Sequence, residues 1–193
     1  MIDVIKPILR VINQVKGNVD KAAQLQASMK RLSNMQVYVG VPEEKTGRKA
    51  GPVTNAQLLY IHTNGSPIQG IPVRAVIEPA IEAPENKKAI TEELAQAARA
   101  AINGKEPEAK QHLRLAGMTG QNAARAWFTD PQNGWAPNSL ETARSKALKA
   151  TGKAKERLNE HISAGGAVTD VEISRPMIDT AQLRKSITYV VKE

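Results

Sequence analysis

Two stretches lying far apart in the chain alternate apolar and polar residues with a period of two, while most of the sequence between them repeats every three to four. Residues 35–41 set Met35, Val37, Val39 and Val41 against Gln36, Tyr38 and Gly40, the pattern of a half-buried strand, and Pro42 ends it. Residues 187–191 set Ile187, Tyr189 and Val191 against Thr188 and Val190. Residues 167–173 alternate only in part, through Val168, Val171 and Ile173, and read as a weaker third strand. An isolated strand is not stable, so the two clear strands can pair in one small sheet with helices packed over it. The expected fold class is α+β: a small antiparallel sheet packed with several helices, a long N-terminal helix and extended loops.

The helical pattern begins early. Ile5, Leu9, Ile12, Val15, Val19, Ala22, Leu25, Met29 and Leu32 form one stripe and predict a helix over 2–33, with Pro7 near its first turn and Gly17-Asn18 weakening its middle. The stripe packs either on the chain's own sheet or on a partner's helix. Residues 43–52 are charged and glycine-bearing, and predict a basic loop that projects from the core and orders on a partner. Thr54 caps a short helix to Thr63, and Asn64-Gly65 stops it with Gly65 in the left-handed C′ conformation. Residues 66–73 predict an irregular loop. A helical region over 74–102 is broken near Pro79 and Pro84, and another spans 108–128 with an interruption at Gly117 or Gly120. Residues 129–139 form a turn-rich loop around Trp135. Ser139 caps a basic helix over 140–162, which Gly165-Gly166 ends, and residues 180–185 form a helical turn.

Chemistry is sparse by comparison. The three histidines, His62, His112 and His161, show no metal-ligand spacing and read as surface or packing residues. Neither glycine pair, Gly117/Gly120 or Gly165/Gly166, carries the Lys-Ser/Thr of a phosphate loop, and there is no GxSxG elbow. Carboxylates on helices, such as Glu92, Glu93, Glu106 and Glu108, single out no acid–base pair. No catalytic, cofactor-binding or metal-binding residue is nominated. With no cysteine there is no disulfide or thiolate chemistry, and a reducing compartment is allowed. No apolar run suits a signal peptide or a membrane span, so a soluble chain made in a cytoplasm is expected, with no membrane partner.

The 193 residues allow one domain, or a core domain with a large insertion. Only 3% are aromatic, so Leu, Ile, Val and Ala must build the core, and such a core gains by association with copies of itself. The net charge of +8 is concentrated in Arg144, Lys146, Lys149, Lys153, Lys155 and Arg157, and again in Lys45, Arg48 and Lys49. These are either solvated faces or contacts to DNA phosphate or an acidic partner.

Several segments resemble one family. MQVYVGVP at 35–42 is similar to the VGVP strand of tailed-phage tail-completion proteins. Residues 55–66, Ile71-Pro72-Val73-Arg74, Glu78-Pro79-Ala80, Gly134-Trp135-Ala136-Pro137-Asn138-Ser139 with Thr142 and Lys146, and 175–188 follow in that family's order. The family is that of phage neck (head–tail joining) and tail-completion proteins, also described as virion morphogenesis or minor tail component proteins. The sequence departs from it at Asn64 and Ser66, at Ala75 and Val76, at Ala181 where a glycine is usual, and at 147–174, which looks like an insertion within a single domain over 1–193. The resemblance implies a structural virion protein and not an enzyme. Such a protein forms a homo-oligomeric ring of six-fold or twelve-fold symmetry at the head–tail junction, between the head connector or adaptor and the tail tube or terminator. It implies assembly in the host cytoplasm, location in the virion neck or tail, and no cofactor; genomic DNA in the ring's lumen can meet the basic segments. Trp135, Arg74, Lys45, Arg48 and Lys49 are then candidate interface residues, Trp135 being either an interface hot spot or a buried anchor. Arg144, Lys146, Lys149, Lys153, Lys155 and Arg157 are candidates for DNA or an acidic partner. Pro72, Asp179, Thr180, Leu183 and Ser186 are structural, with Asp179 or Thr180 capping the last helical turn and Leu183 facing the core. Alternatives are a tail terminator or another minor tail or baseplate component, a DNA-binding accessory protein, and a small enzyme of unrecognised type.

Overall fold

The structure, a computed structural model, describes residues 19–48, 52–179 and 181–192. In chain order these form α1 (Val19–Asn34), β1 (Gln36–Gly40), α2 (Asn55–Asn64), α3 (Ile77–Glu82), α4 (Pro84–Ile102), α5 (Glu106–Trp127), α6 (Leu140–Lys149), α7 (Gly152–Ser163), α8 (Gln182–Ser186) and β2 (Thr188–Lys192). The fold is α+β, mostly helical with a small sheet. It divides into two compact units: a sheet unit within 1–42, 77–124 and 187–193, and a loop unit within 43–76 and 125–186.

In the sheet unit β1 and β2 pair antiparallel, with Val37 opposite Val191 and Val39 opposite Tyr189. A two-stranded ribbon needs backing. α5 supplies it by running unbroken through Gly117 and Gly120, where the sequence suggests an interruption. The reason is close approach. A Cβ on Gly117 would sit 2.5 Å from Tyr189 Cδ2 and 3.0 Å from Val37 Cγ1, and one on Gly120 would sit 3.0 Å from Val39 Cγ2. The glycines are a trough for the sheet's side chains rather than helix stops. α1 packs along α4. Its predicted residues 2–18 lie outside the described residues. The core follows from the shortage of aromatics: Ala80, Ala83, Ala97, Ala98, Ala100, Ala109, Ala116, Ala123 and Ala124 are all buried here. Pro84 opens α4 at its first position, and the break from α3 falls at Ala83. Pro79 sits in the first turn of α3, where it removes no helical bond.

In the loop unit α2 packs on α8. Thr54 and Gln57 form a reciprocal capping box at the start of α2. Gly65 ends the helix with φ 73° and ψ 177°. That is not the left-handed helical cap expected but a region still more restricted to glycine. The 43–48 loop does not project freely. Its 45 and 47 carbonyls accept from Asn55 Nδ2 (3.2 and 2.9 Å), and its Thr46 carbonyl accepts from Asn55 N (2.8 Å). The predicted helix 140–162 is two helices, α6 and α7, because the chain turns extended at Ala150 and Thr151, and Gly152 takes φ 54°. Residues 167–173 are turns and not a strand. The Asp170 carboxylate accepts from Ala167 N at 2.8 Å and bonds His161 Nε2 at 2.7 Å, while the Asp170 carbonyl accepts from Ile173 N and Ser174 N. Asp170 thereby satisfies locally the groups a ladder would use.

Candidate functional site

Segments far apart in sequence converge on a cleft of about 1010 Å³ in the loop unit. The loop 66–71 is closed by paired bonds between Ser66 and Ile71 and presents Pro72 at the rim. Arg74 follows. It is only 7% exposed, and its guanidinium donates to the carbonyls of Ala136 (2.9 Å from Nη2, 3.3 Å from Nε) and Pro137 (3.1 Å). Of the partners open to it, carboxylate or backbone carbonyl, Arg74 takes carbonyls, which leaves it little surface to offer a neighbour.

Trp135 is held as an anchor. Its indole Nε1 donates to the Ala75 carbonyl at 3.1 Å, and its ring meets Phe128 edge-on with centroids 5.8 Å apart. Asn138 is buried and donates to the carbonyl of Ser174 (2.8 Å) and to its hydroxyl (3.0 Å). Sequence reasoning passed over this pair, since an Asn in a turn-rich loop gives no sign of a partner 36 residues on. Ser139 caps α6. Across the cleft, Leu183 and Ser186 of α8 are buried, and Ser186 Oγ donates to the Leu183 carbonyl at 2.7 Å. Asp179 lines the cleft, and Thr180 lies outside the described residues. Met177 and Ala181, on either side, take left-handed φ of 57° and 58°.

The predicted basic groups separate into distinct roles. Lys146 is not a free contact for phosphate: its ammonium donates to the carbonyls of Arg175 (2.6 Å) and Ile178 (2.7 Å) and holds that turn to α6. Burial lowers its pKa; Asp179 raises it in opposition, and Arg74 lowers it further. Arg144 and Lys149 on α6, and Lys153, Lys155 and Arg157 on α7, are exposed. They sit on two helices with a bend between them and do not form one stripe. Lys45 is exposed beside Asn55, Arg48 lines the cleft, and Lys49 lies outside the described residues.

His62, which the sequence presents as a surface or packing residue, also lines the cleft. Desolvation, then the charges of Arg74 and Arg48, lower its pKa. His62 Nδ1 and Arg48 Nε are both shielded from solvent with no hydrogen-bond partner among the described residues. Such groups each cost about 1–3 kcal/mol until something pairs with them. No spacing signal in the sequence brings residue 48 to residue 62. Among the described residues no three His, Asp or Glu side chains converge as metal ligands, and no helix is long and apolar enough to cross a membrane.

No protein-family model, curated protein or solved structure matches this chain.

Proposed function

We propose that this chain is a structural virion protein of the phage head–tail junction, one copy in a ring between the head connector and the tail. One observation carries the reading. Several of the segments that resemble the neck and tail-completion family line one cleft, through Pro72 and Arg74, Pro137 to Ser139, Lys146, Asp179, and Ala181 to Leu183. There the polar side chains of Arg74, Asn138 and Lys146, like that of Trp135 nearby in the chain, are directed at the chain's own carbonyls. Groups consumed in this way make a shape, not a reaction centre. Subunits of such a protein act by burying matched surface against neighbours until a ring closes.

The test is a particle image that locates the protein, together with charge reversal of exposed cations outside the cleft. Lys45→Glu with Lys153→Glu, Lys155→Glu and Arg157→Glu should leave the subunit folded and abolish tail attachment. Unchanged virion yield would sink the reading. A DNA-binding accessory role is the second reading, favoured by the exposed cations of α7. It predicts duplex affinity of the isolated chain that falls steeply with salt.

A further inference from the structure

We infer that the cleft of the loop unit is a docking site for an extended polypeptide segment in which carboxylate side chains alternate with apolar ones. The inference rests on the ring reading only for the source of that segment, an acidic neighbour in the particle.

The lining offers the two surfaces such a segment requires. Its cations are Arg48, Arg74, Lys146 and Lys149, against Glu141 and Asp179. Among them lie Val53, Leu58, Ile71 and Met177. Arg74 and Lys146 already donate to carbonyls, so they contribute positive potential rather than new bonds. Arg48 and His62 differ: Arg48 Nε and His62 Nδ1 face no partner among the described residues, out of solvent. Lys149, exposed at the end of α6, stands at the same cleft. A carboxylate is the acceptor whose geometry suits a guanidinium, and one placed here meets Arg48 and relieves the mutual repulsion of the cations around it. Burial, then the charges of Arg74 and Arg48, lowers the pKa of His62, and a carboxylate set among those cations offsets their part of the shift.

Other occupants fit less well. Duplex DNA presents a convex rod, whereas these donors lie in a concavity. Single-stranded nucleic acid stacks on aromatic rings, and among the described residues no Trp, Tyr or Phe lines the cleft. A second copy of this chain, with a net charge of +8, offers no overall excess of carboxylates to complement a positive cleft.

The experiment titrates the full chain into a labelled short peptide alternating leucine and aspartate, and into its leucine–asparagine counterpart, reading fluorescence anisotropy at low salt. The aspartate peptide should bind at least about tenfold more tightly than its counterpart. Arg48→Gln with Lys149→Gln should weaken it about tenfold or more, with the melting curve checking the fold; Lys149→Gln alone, at an exposed position, should weaken it in the same direction. Lys153→Gln with Lys155→Gln, on α7, should change it less than about twofold. The His62 ring resonance should titrate at higher pH in the saturated complex. Equal affinity for the two peptides, an equal loss from the α7 variant, or displacement of the peptide by duplex DNA or inorganic phosphate at matched charge would overturn the inference. A chain that fails this test yet sits between head and tail leaves the ring reading standing. One that binds the peptide but is absent from particles removes the ring reading alone.

Discussion

In the sheet unit, glycine and alanine let secondary-structure elements approach closely: Gly117 and Gly120 receive the side chains of β1 and β2, and eight buried alanines sit in the helices with a ninth, Ala83, at the break between α3 and α4. In the loop unit, long polar side chains reach across open backbone: Arg74 to Ala136 and Pro137, Trp135 to Ala75, Asn138 to Ser174 and Lys146 to Arg175. Both tryptophans and the phenylalanine, Trp127, Trp135 and Phe128, lie in the loop unit, while the sheet unit holds Tyr38 and Tyr189. The sheet unit is therefore sensitive to added volume, and the loop unit to lost donors. A cleft can be held open by the second method because side chain–backbone bonds fix loops without filling the space between them.

The largest expected effect is from added volume. Gly117→Val should destabilise the chain by about 3 kcal/mol, read as a lower thermal midpoint and faster amide exchange in β1 and β2. A near-normal melt would mean that α5 does not lie against the sheet as described. Removing a donor should cost somewhat less. Arg74→Met leaves the Ala136 and Pro137 carbonyls without their charged partner and should cost about 2 kcal/mol, and Arg74→Lys should not restore it because one ammonium does not reproduce the fork. Chemical denaturation of the three proteins separates lost charge from lost geometry.

A smaller change should run in the opposite direction. Ala181 takes a left-handed φ of 58°, which glycine adopts freely, so Ala181→Gly should stabilise by about 1 kcal/mol. This is also a position where the family resemblance has glycine, so the departure is a local strain. Smallest is a pH effect. The pKa of His62 is lowered in the folded chain, so the unfolded chain takes up its proton first as pH falls. Stability should therefore decline as pH drops through and below the ordinary imidazole range, and be fully present above it. His62→Gln should flatten that part of the stability–pH curve; an unaltered slope would place His62 in solvent.

What could be read from the sequence was local. The alternation at 35–41 and 187–191 located both strands to within a residue or so, and Thr54 and Ser139 capped the helices they precede, because cap chemistry acts over three residues. Where long-range contact decides, the residues carried no mark. Gly117 and Gly120 looked like breaks because the sheet that requires them is distant in sequence. Val168, Val171 and Ile173 looked like a strand because the competing hydrogen bonds of Asp170 leave no periodic trace. At the cleft, Arg74, Trp135 and Lys146 were visible through their motif, but their targets were not, since a backbone carbonyl has the same identity at every position. His62 read only as a surface or packing residue, and Arg48 was an interface candidate whose neighbour was not legible, as each is ordinary until the other is beside it.

Pairing Gln36 with Lys192 has a consequence for how the chain is made. During synthesis β1 leaves the ribosome long before its partner exists, and helices α2 to α8 must emerge in the interval. The ribbon is thus among the last features to form, a pairing of high sequence separation that slows folding. Until it closes, the valine face of β1 is open to any extended segment in the crowded cell, which makes the nascent chain, more than the finished one, the species prone to aggregate.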